Sequence, residues 1–144
     1  MIKSELSVII NAAPEKVFAR MSDPYNALED VPNVVEVKDV TGEGLGKRYR
    51  VVYKMMGVPL NVDCEFTEYV SNQRLVEKCS GGIDCTMTWT LEPHEGGTKV
   101  NGKSEYTVPV PLVGRIAELL LKKQNEREWE SVLGNIKAQV EAEA

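Results

Sequence analysis

The sequence predicts an α+β domain in which a seven-stranded antiparallel sheet wraps around one long carboxy-terminal helix, with two short helices after the first strand. Three observations carry this. Seven strand-like segments follow one another with short turns between them, which implies antiparallel neighbours. A helix-periodic segment, residues 112–143, comes last, just after Pro109-Val110-Pro111. The strands are apolar on one face and polar on the other, and the long helix has that apolar face as its one large partner. A helix laid on a concave sheet encloses a cavity, so the lining of that cavity is where function is to be sought.

The elements follow in order. Leu6, Val8 and Ile10 alternate with Glu5, Ser7 and Ile9, the period-two signature of a half-buried strand. Pro14 opens a short helix with Val17, Phe18 and Met21 on its apolar face, and Ser22-Asp23-Pro24 ends it and starts a second short turn. Val35 and Val37 then alternate with Glu36 and Lys38 before the glycine turn Gly42-Glu43-Gly44-Leu45-Gly46. Strand character continues over 49–55, 60–69, 74–79, 83–91 and 99–108. Gly57-Val58-Pro59, Ser71-Asn72, Gly81-Gly82 and Glu95-Gly96-Gly97 supply the turns. In the long helix, Leu112, Ile116, Leu119 and Leu120 lie on a face roughly 140° from that of Trp129, Val132, Leu133, Ile136 and Val140, taking ~100° per residue. The expectation is a bend or division within 122–128, where Lys-Lys-Gln-Asn-Glu-Arg-Glu is polar all round, with the first half as a lid.

Composition narrows the function classes. The 144 residues fit one domain, 1–144, long enough to bury a substantial core. With 42% hydrophobic and 27% charged residues the chain is neither disordered nor membrane-spanning, since no apolar run approaches the ~20 residues a bilayer requires. A transient membrane contact is compatible with this. The net charge of −5 argues against nucleic acid, and Lys122, Lys123 and Arg127 read as the solvated face of a helix. The start, Met1-Ile2-Lys3-Ser4-Glu5-Leu6, alternates polar and apolar residues where a secretion signal would be basic and then apolar, so a cytoplasmic location is expected. Cys64, Cys79 and Cys85 lack zinc-site spacing, and the single histidine, His94, falls in a turn; no metal or cofactor is expected.

Reading alternate residues gives the inward set. The third strand offers Tyr49, Val51, Tyr53 and Met55, and the fourth Leu60, Val62, Cys64 and Phe66. The sixth offers Ile83, Cys85, Met87, Trp89 and Leu91, and the seventh Val100, Gly102, Ser104, Tyr106 and Val108. The candidate ligand contacts are Tyr49, Val51 and Tyr53; Leu60, Val62, Cys64 and Phe66; Cys85, Met87 and Trp89; Ser104 and Tyr106; and, from the helix, Ile116 and Leu120. Apolar walls with a few hydroxyls, an indole N–H and two thiols suit a small-molecule pocket. Small residues at Gly102 and Ser104 suggest hollow space. No catalytic residue is assigned: His94 sits at the rim, and Glu77, whose direction depends on the register of the Gly81-Gly82 hairpin, is expected to face solvent.

Several landmarks together resemble the START-like helix-grip (SRPBCC) superfamily of lipid-transfer domains, pollen-allergen-type carriers and polyketide cyclase/dehydrase proteins. They are Ile10-Asn11-Ala12-Ala13-Pro14, Val17-Phe18 with Ser22-Asp23-Pro24, Val31-Pro32-Asn33-Val34, the glycine turn before Arg48-Tyr49, Leu91-Glu92-Pro93 with Gly96-Gly97-Thr98-Lys99-Val100, and the helix ending Ile136-Lys137. The resemblance implies a helix-grip fold whose cavity takes lipids, sterols, quinones or aromatic polyketides. It also implies that the glycine loop lies near the cavity entrance, as in the pollen-allergen-type proteins; the strand after Gly42-x-Gly44-x-Gly46 excludes a dinucleotide fingerprint, which needs a helix there. The expected function is binding or transport of a small hydrophobic ligand. The alternatives are a polyketide cyclase/dehydratase-type enzyme using the same cavity, or an accessory/assembly protein.

Overall fold

The computed structural model describes residues 1–55, 57–107 and 115–143, of which 115–118 by their backbone alone. Strand β1 (Ile2–Ile10) leads into helix α1 (Pro14–Met21), a 3-10 turn (Pro24–Asn26) and the short helix α2 (Ala27–Asp30). Strands β2 (Val34–Thr41), β3 (Arg48–Met55), β4 (Val58–Val70), β5 (Arg74–Gly81), β6 (Asp84–His94) and β7 (Gly97–Thr107) follow, and helix α3 (Arg115–Ala142) closes the chain. They form one seven-stranded sheet in the order β1-β7-β6-β5-β4-β3-β2, every neighbouring pair antiparallel.

Local chemistry accounts for the pieces that frame the cavity. Pro14 occupies the first turn of α1, where its fixed φ suits a helix and its missing N–H has no partner to lose. Val17 and Phe18 turn inward, and the Ser22 N–H closes the helix on the Phe18 carbonyl. Asp23 then accepts from the Tyr25 N–H to start the next turn. In β4, Val58 and Pro59 already pair with Met55 and Lys54, so the turn expected at 57–59 is tighter than its sequence suggests. Pairing with β5 begins only at Val62, which leaves Pro59 no ladder bond to forfeit on that side.

Two expectations need correction. Val35 does not share the inward face with Val37. The register shifts between Val34 and Glu36, so Val35 is the extra residue of a bulge and stands 49% exposed, while Val34 packs against the core and Val37 is buried. Helix α3 is also undivided, running without a break from Arg115 to Ala142. The polar stretch 122–128 holds neither Gly nor Pro and is rich in Lys, Gln, Glu and Arg, all good helix formers. The two apolar faces are reconciled differently: Trp129, Val132, Leu133, Ile136 and Val140 are buried, whereas Leu119 and Leu120 stay 60% and 63% exposed. Leu112 lies outside the described residues.

The buried half of α3 lies along β1, an edge strand whose unpaired side would otherwise be open. Lys137 Nζ donates to the Ile9 carbonyl (2.6 Å), and Glu141 accepts from the Asn11 N–H (3.1 Å) and from Lys137 (2.7 Å). Among the described residues no helix is long and apolar enough to cross a membrane.

Candidate functional site

Between the inward face of the sheet and α3 lies a cavity of about 190 Å³. Strand register builds its floor. Tyr49, Cys64, Cys79, Cys85 and Tyr106 pair in succession across five strands as one transverse row, and Phe66, Glu77, Met87 and Ser104 form the next. Leu121, Gln124, Asn125, Glu128 and Trp129 of α3 roof it, and residues from Arg20 to Val34, including Pro24 and Asp30, wall one side.

Most of the expected contacts do line this space: Tyr49, Val51 and Tyr53 of β3, Val62 and Cys64 of β4, Cys85, Met87 and Trp89 of β6, Ser104 and Tyr106 of β7. Leu60 packs against the core without reaching the cavity. Phe66 is 1% exposed beneath the rings of Tyr49 and Tyr69, at centroid distances of 5.8 and 6.3 Å. Leu120 points to solvent, because the phase set by Trp129 and Val132 turns Leu121 inward instead. The side chain of Ile116 lies outside the described residues. The glycine loop does not reach the cavity either. Gly44 packs under the Tyr69 ring, and the Gly46 N–H bonds the Phe66 carbonyl.

Gly102 is likewise not hollow. A Cβ there would come within 3.0 Å of Trp129 Cζ2 and 3.1 Å of Trp89 Cζ3, so its missing side chain is the seat of two indoles packed 4.9 Å apart. Trp129 Nε1–H donates to the Gly102 carbonyl (2.9 Å).

The main correction concerns Glu77. It faces inward, because Cys79 pairs with Cys85 and Glu77 therefore pairs with Met87, on the same face as Leu75 and Cys79. The Tyr49 hydroxyl donates to Glu77 Oε1 (2.5 Å) and Trp89 Nε1–H to Oε2 (2.9 Å). Burial raises the Glu77 pKa, and the two hydrogen bonds offset part of that. Burial, reinforced by the charge of Glu77, raises Tyr49 as well.

A second acid escaped sequence reasoning altogether. On α3, Glu128 takes the Tyr53 hydroxyl within reach of both its oxygens (2.8 and 2.6 Å). Burial raises Glu128, against the Tyr53 hydrogen bond. Tyr106 is pushed up to about 12 by burial and by the charge of Glu128.

Two further polar pairs lie here. Arg20 grips Asp30 through two bonds of 2.8 and 2.9 Å, and hydrogen bonding to Asp30 raises its pKa further. Asn125 donates to Ser4 (2.7 Å). Among the described residues no buried side-chain nitrogen or oxygen lacks a partner. Cys64 and Cys79 lie 2.7 Å apart as free thiols, and hydrogen bonding to Cys64 and Cys85 pushes Cys79 up. No group of three or more His, Cys, Asp or Glu side chains among the described residues could hold a metal ion. His94 is exposed in the β6–β7 hairpin, outside the cavity lining.

Comparison with known proteins agrees with this architecture. A sequence model of the polyketide cyclase/dehydrase and lipid transport family matches residues 1–141. The chain belongs to that family. The family member described here is similar in structure to TTHA0849 from Thermus thermophilus, with a TM-score of 0.83 at 23% identity over 99% of both chains. It also resembles a START superfamily protein from Mycobacterium smegmatis (TM-score 0.81, 12% identity, 99% of both chains). A third likeness is to the Zhui aromatase/cyclase from Streptomyces sp. R1128 (TM-score 0.80, 14% identity, 96% of this chain and 93% of that one). At these identities the likeness establishes the helix-grip fold. No curated protein matches the chain.

Proposed function

We propose that this family member binds a small hydrophobic molecule between sheet and α3 and acts as its carrier or sensor. The observation that carries the reading is the cavity: about 190 Å³, walled by Val51, Val62, Met87 and Trp89, with Glu77 holding the Tyr49 hydroxyl and the Trp89 N–H and Glu128 holding the Tyr53 hydroxyl. An apolar cavity of about 150 Å³ admits benzene. The space here therefore suits a body of one or two rings better than a sterol or a two-chain lipid.

The chain's two tryptophans both line the cavity, so intrinsic fluorescence reports occupancy without a label. Titration with a neutral bicyclic hydrocarbon such as indane is expected to change that emission saturably. Met87→Trp, which fills the floor beside Glu77, should weaken binding about ten-fold or more while the fold is retained. Unchanged emission in the native protein at saturating indane would count against the reading.

A second reading, a cyclase/dehydratase-type enzyme, is favoured by one observation: Glu77 lies inside the cavity with a raised pKa, where an acid/base group would be needed. Under that reading Glu77→Gln abolishes turnover of a cavity-bound substrate and spares its binding.

A further inference from the structure

The charges lining the cavity do not balance. Arg20 is the one basic side chain among the described lining residues, and it is buried against Asp30 with Glu29 at 3.8 Å. Three acids line the cavity without an ion pair among the described residues: Asp23 at the side wall, where its Oδ1 caps the Tyr25 N–H of the 3-10 turn, and Glu77 and Glu128, which reach in from the sheet and from α3. The two glutamates differ in what is left over. Glu77 spends its oxygens on two separate donors, Tyr49 and Trp89. Both oxygens of Glu128 share a single donor, the Tyr53 hydroxyl, and an ionised carboxylate accepts at about four lone-pair positions. Glu128 therefore offers unused acceptor positions to whatever fills the cavity. The Tyr53 hydroxyl of β3 touches it, and Tyr106 of β7 lines the same cavity.

We propose that the cavity selects a protonated amine carried on a one- or two-ring apolar body, with the Glu128 carboxylate as its counter-ion beside the Tyr53 hydroxyl. This deepens the carrier reading and rests on it. Three classes of ligand head compete for the position. A carboxylate, as in a fatty acid, meets three unpaired acids, Asp23, Glu77 and Glu128, and no uncommitted cation among the described residues. A neutral body leaves Glu128 without a counter-charge in an apolar surrounding, where a lone charge is costly. An ammonium group brings up to three N–H donors and a positive charge, which the carboxylate attracts. The apolar body then occupies the walls from Val51 to Met87.

The test uses one body with three heads: 2-aminoindane, indane and indane-2-carboxylate, titrated calorimetrically and by tryptophan emission against the whole protein. The amine is expected to bind about ten-fold or more tightly than the other two, the size of one charge-assisted hydrogen bond. Glu128→Gln, which keeps an acceptor for Tyr53, should bring the amine to within a few-fold of indane while indane binding is retained. Glu128→Asp, which keeps the charge, should restore a preference. If indane binds and the amine binds no better, or the carboxylate binds best, the amine inference is overturned and the carrier reading stands. If the amine preference survives Glu128→Gln, the counter-ion assignment is wrong. If none of the three binds, the carrier reading falls and the inference with it.

Discussion

Glu77 gives the protein a pH signature of definite sign. Burial raises its folded-state pKa above the unfolded value of about 4.3, so over the window upward from there the native state holds a proton that the unfolded chain has released. Stability therefore falls as pH rises through that window, and Glu128 acts in the same direction. Glu105 and Glu141, lowered by Lys103 and Lys137 at the surface, act oppositely but equally in wild type and variant. Glu77→Gln mimics the protonated form: its amide accepts from Trp89 and donates to the Tyr49 oxygen. Denaturant midpoints should show a flatter pH dependence for Glu77→Gln and no loss of stability at neutral pH. An equal loss at acidic and neutral pH would show that titration of Glu77 plays no part. Glu77→Ala orphans the Trp89 N–H and should cost about 1–3 kcal/mol. Gly102→Ala pushes a methyl group into the paired indoles, with an expected cost of about 1–3 kcal/mol and no gain in cavity filling.

At the scale of elements, the burial of α3 divides the helix into positions that matter for stability and positions that do not. Replacing Leu119 and Leu120 together by Lys should leave the denaturation midpoint within about 0.5 kcal/mol of wild type, as for ordinary surface sites. Trp129→Ala removes a buried indole and its bond to the Gly102 carbonyl, and about 3–5 kcal/mol should be lost. The reverse ranking would place the wrong face of α3 on the sheet. The seven strands, both short helices and the buried stripe from Trp129 to Val140 are legible from periodicity, because alternation and helical spacing are local properties. The bulge at Val35 is not, since the β2–β3 register depends on pairing between strands and both choices leave a Val–Glu–Val alternation. The undivided helix follows from a trade the sequence does not reveal: exposing two leucines in place of interrupting the backbone hydrogen bonds of 122–128.

For the molecule as a whole, the apolar lining is readable strand by strand, while the polar heart of the cavity is not. Leu75 and Cys79 share parity with Glu77, against Val76, Lys78 and Ser80, so the sequence does hold the cue that turns Glu77 inward. The general rule that a carboxylate prefers water outweighs it, and only the Tyr49 hydroxyl and Trp89 N–H, brought in from β3 and β6, make the buried position tenable. Glu128 lies one turn before Val132, beside the stripe that periodicity does mark, but its inward role depends on Tyr53 arriving from β3, which no local pattern shows. The central claim, that these residues together enclose a ligand site, is tested most directly by native mass spectrometry of the protein purified from its source. A discrete non-covalent adduct, of the mass of a one- or two-ring molecule, is expected on the wild type and absent from Met87→Trp prepared identically. Wild-type protein that flies only at its bare polypeptide mass, and gains no adduct when small apolar molecules are supplied, would contradict the account.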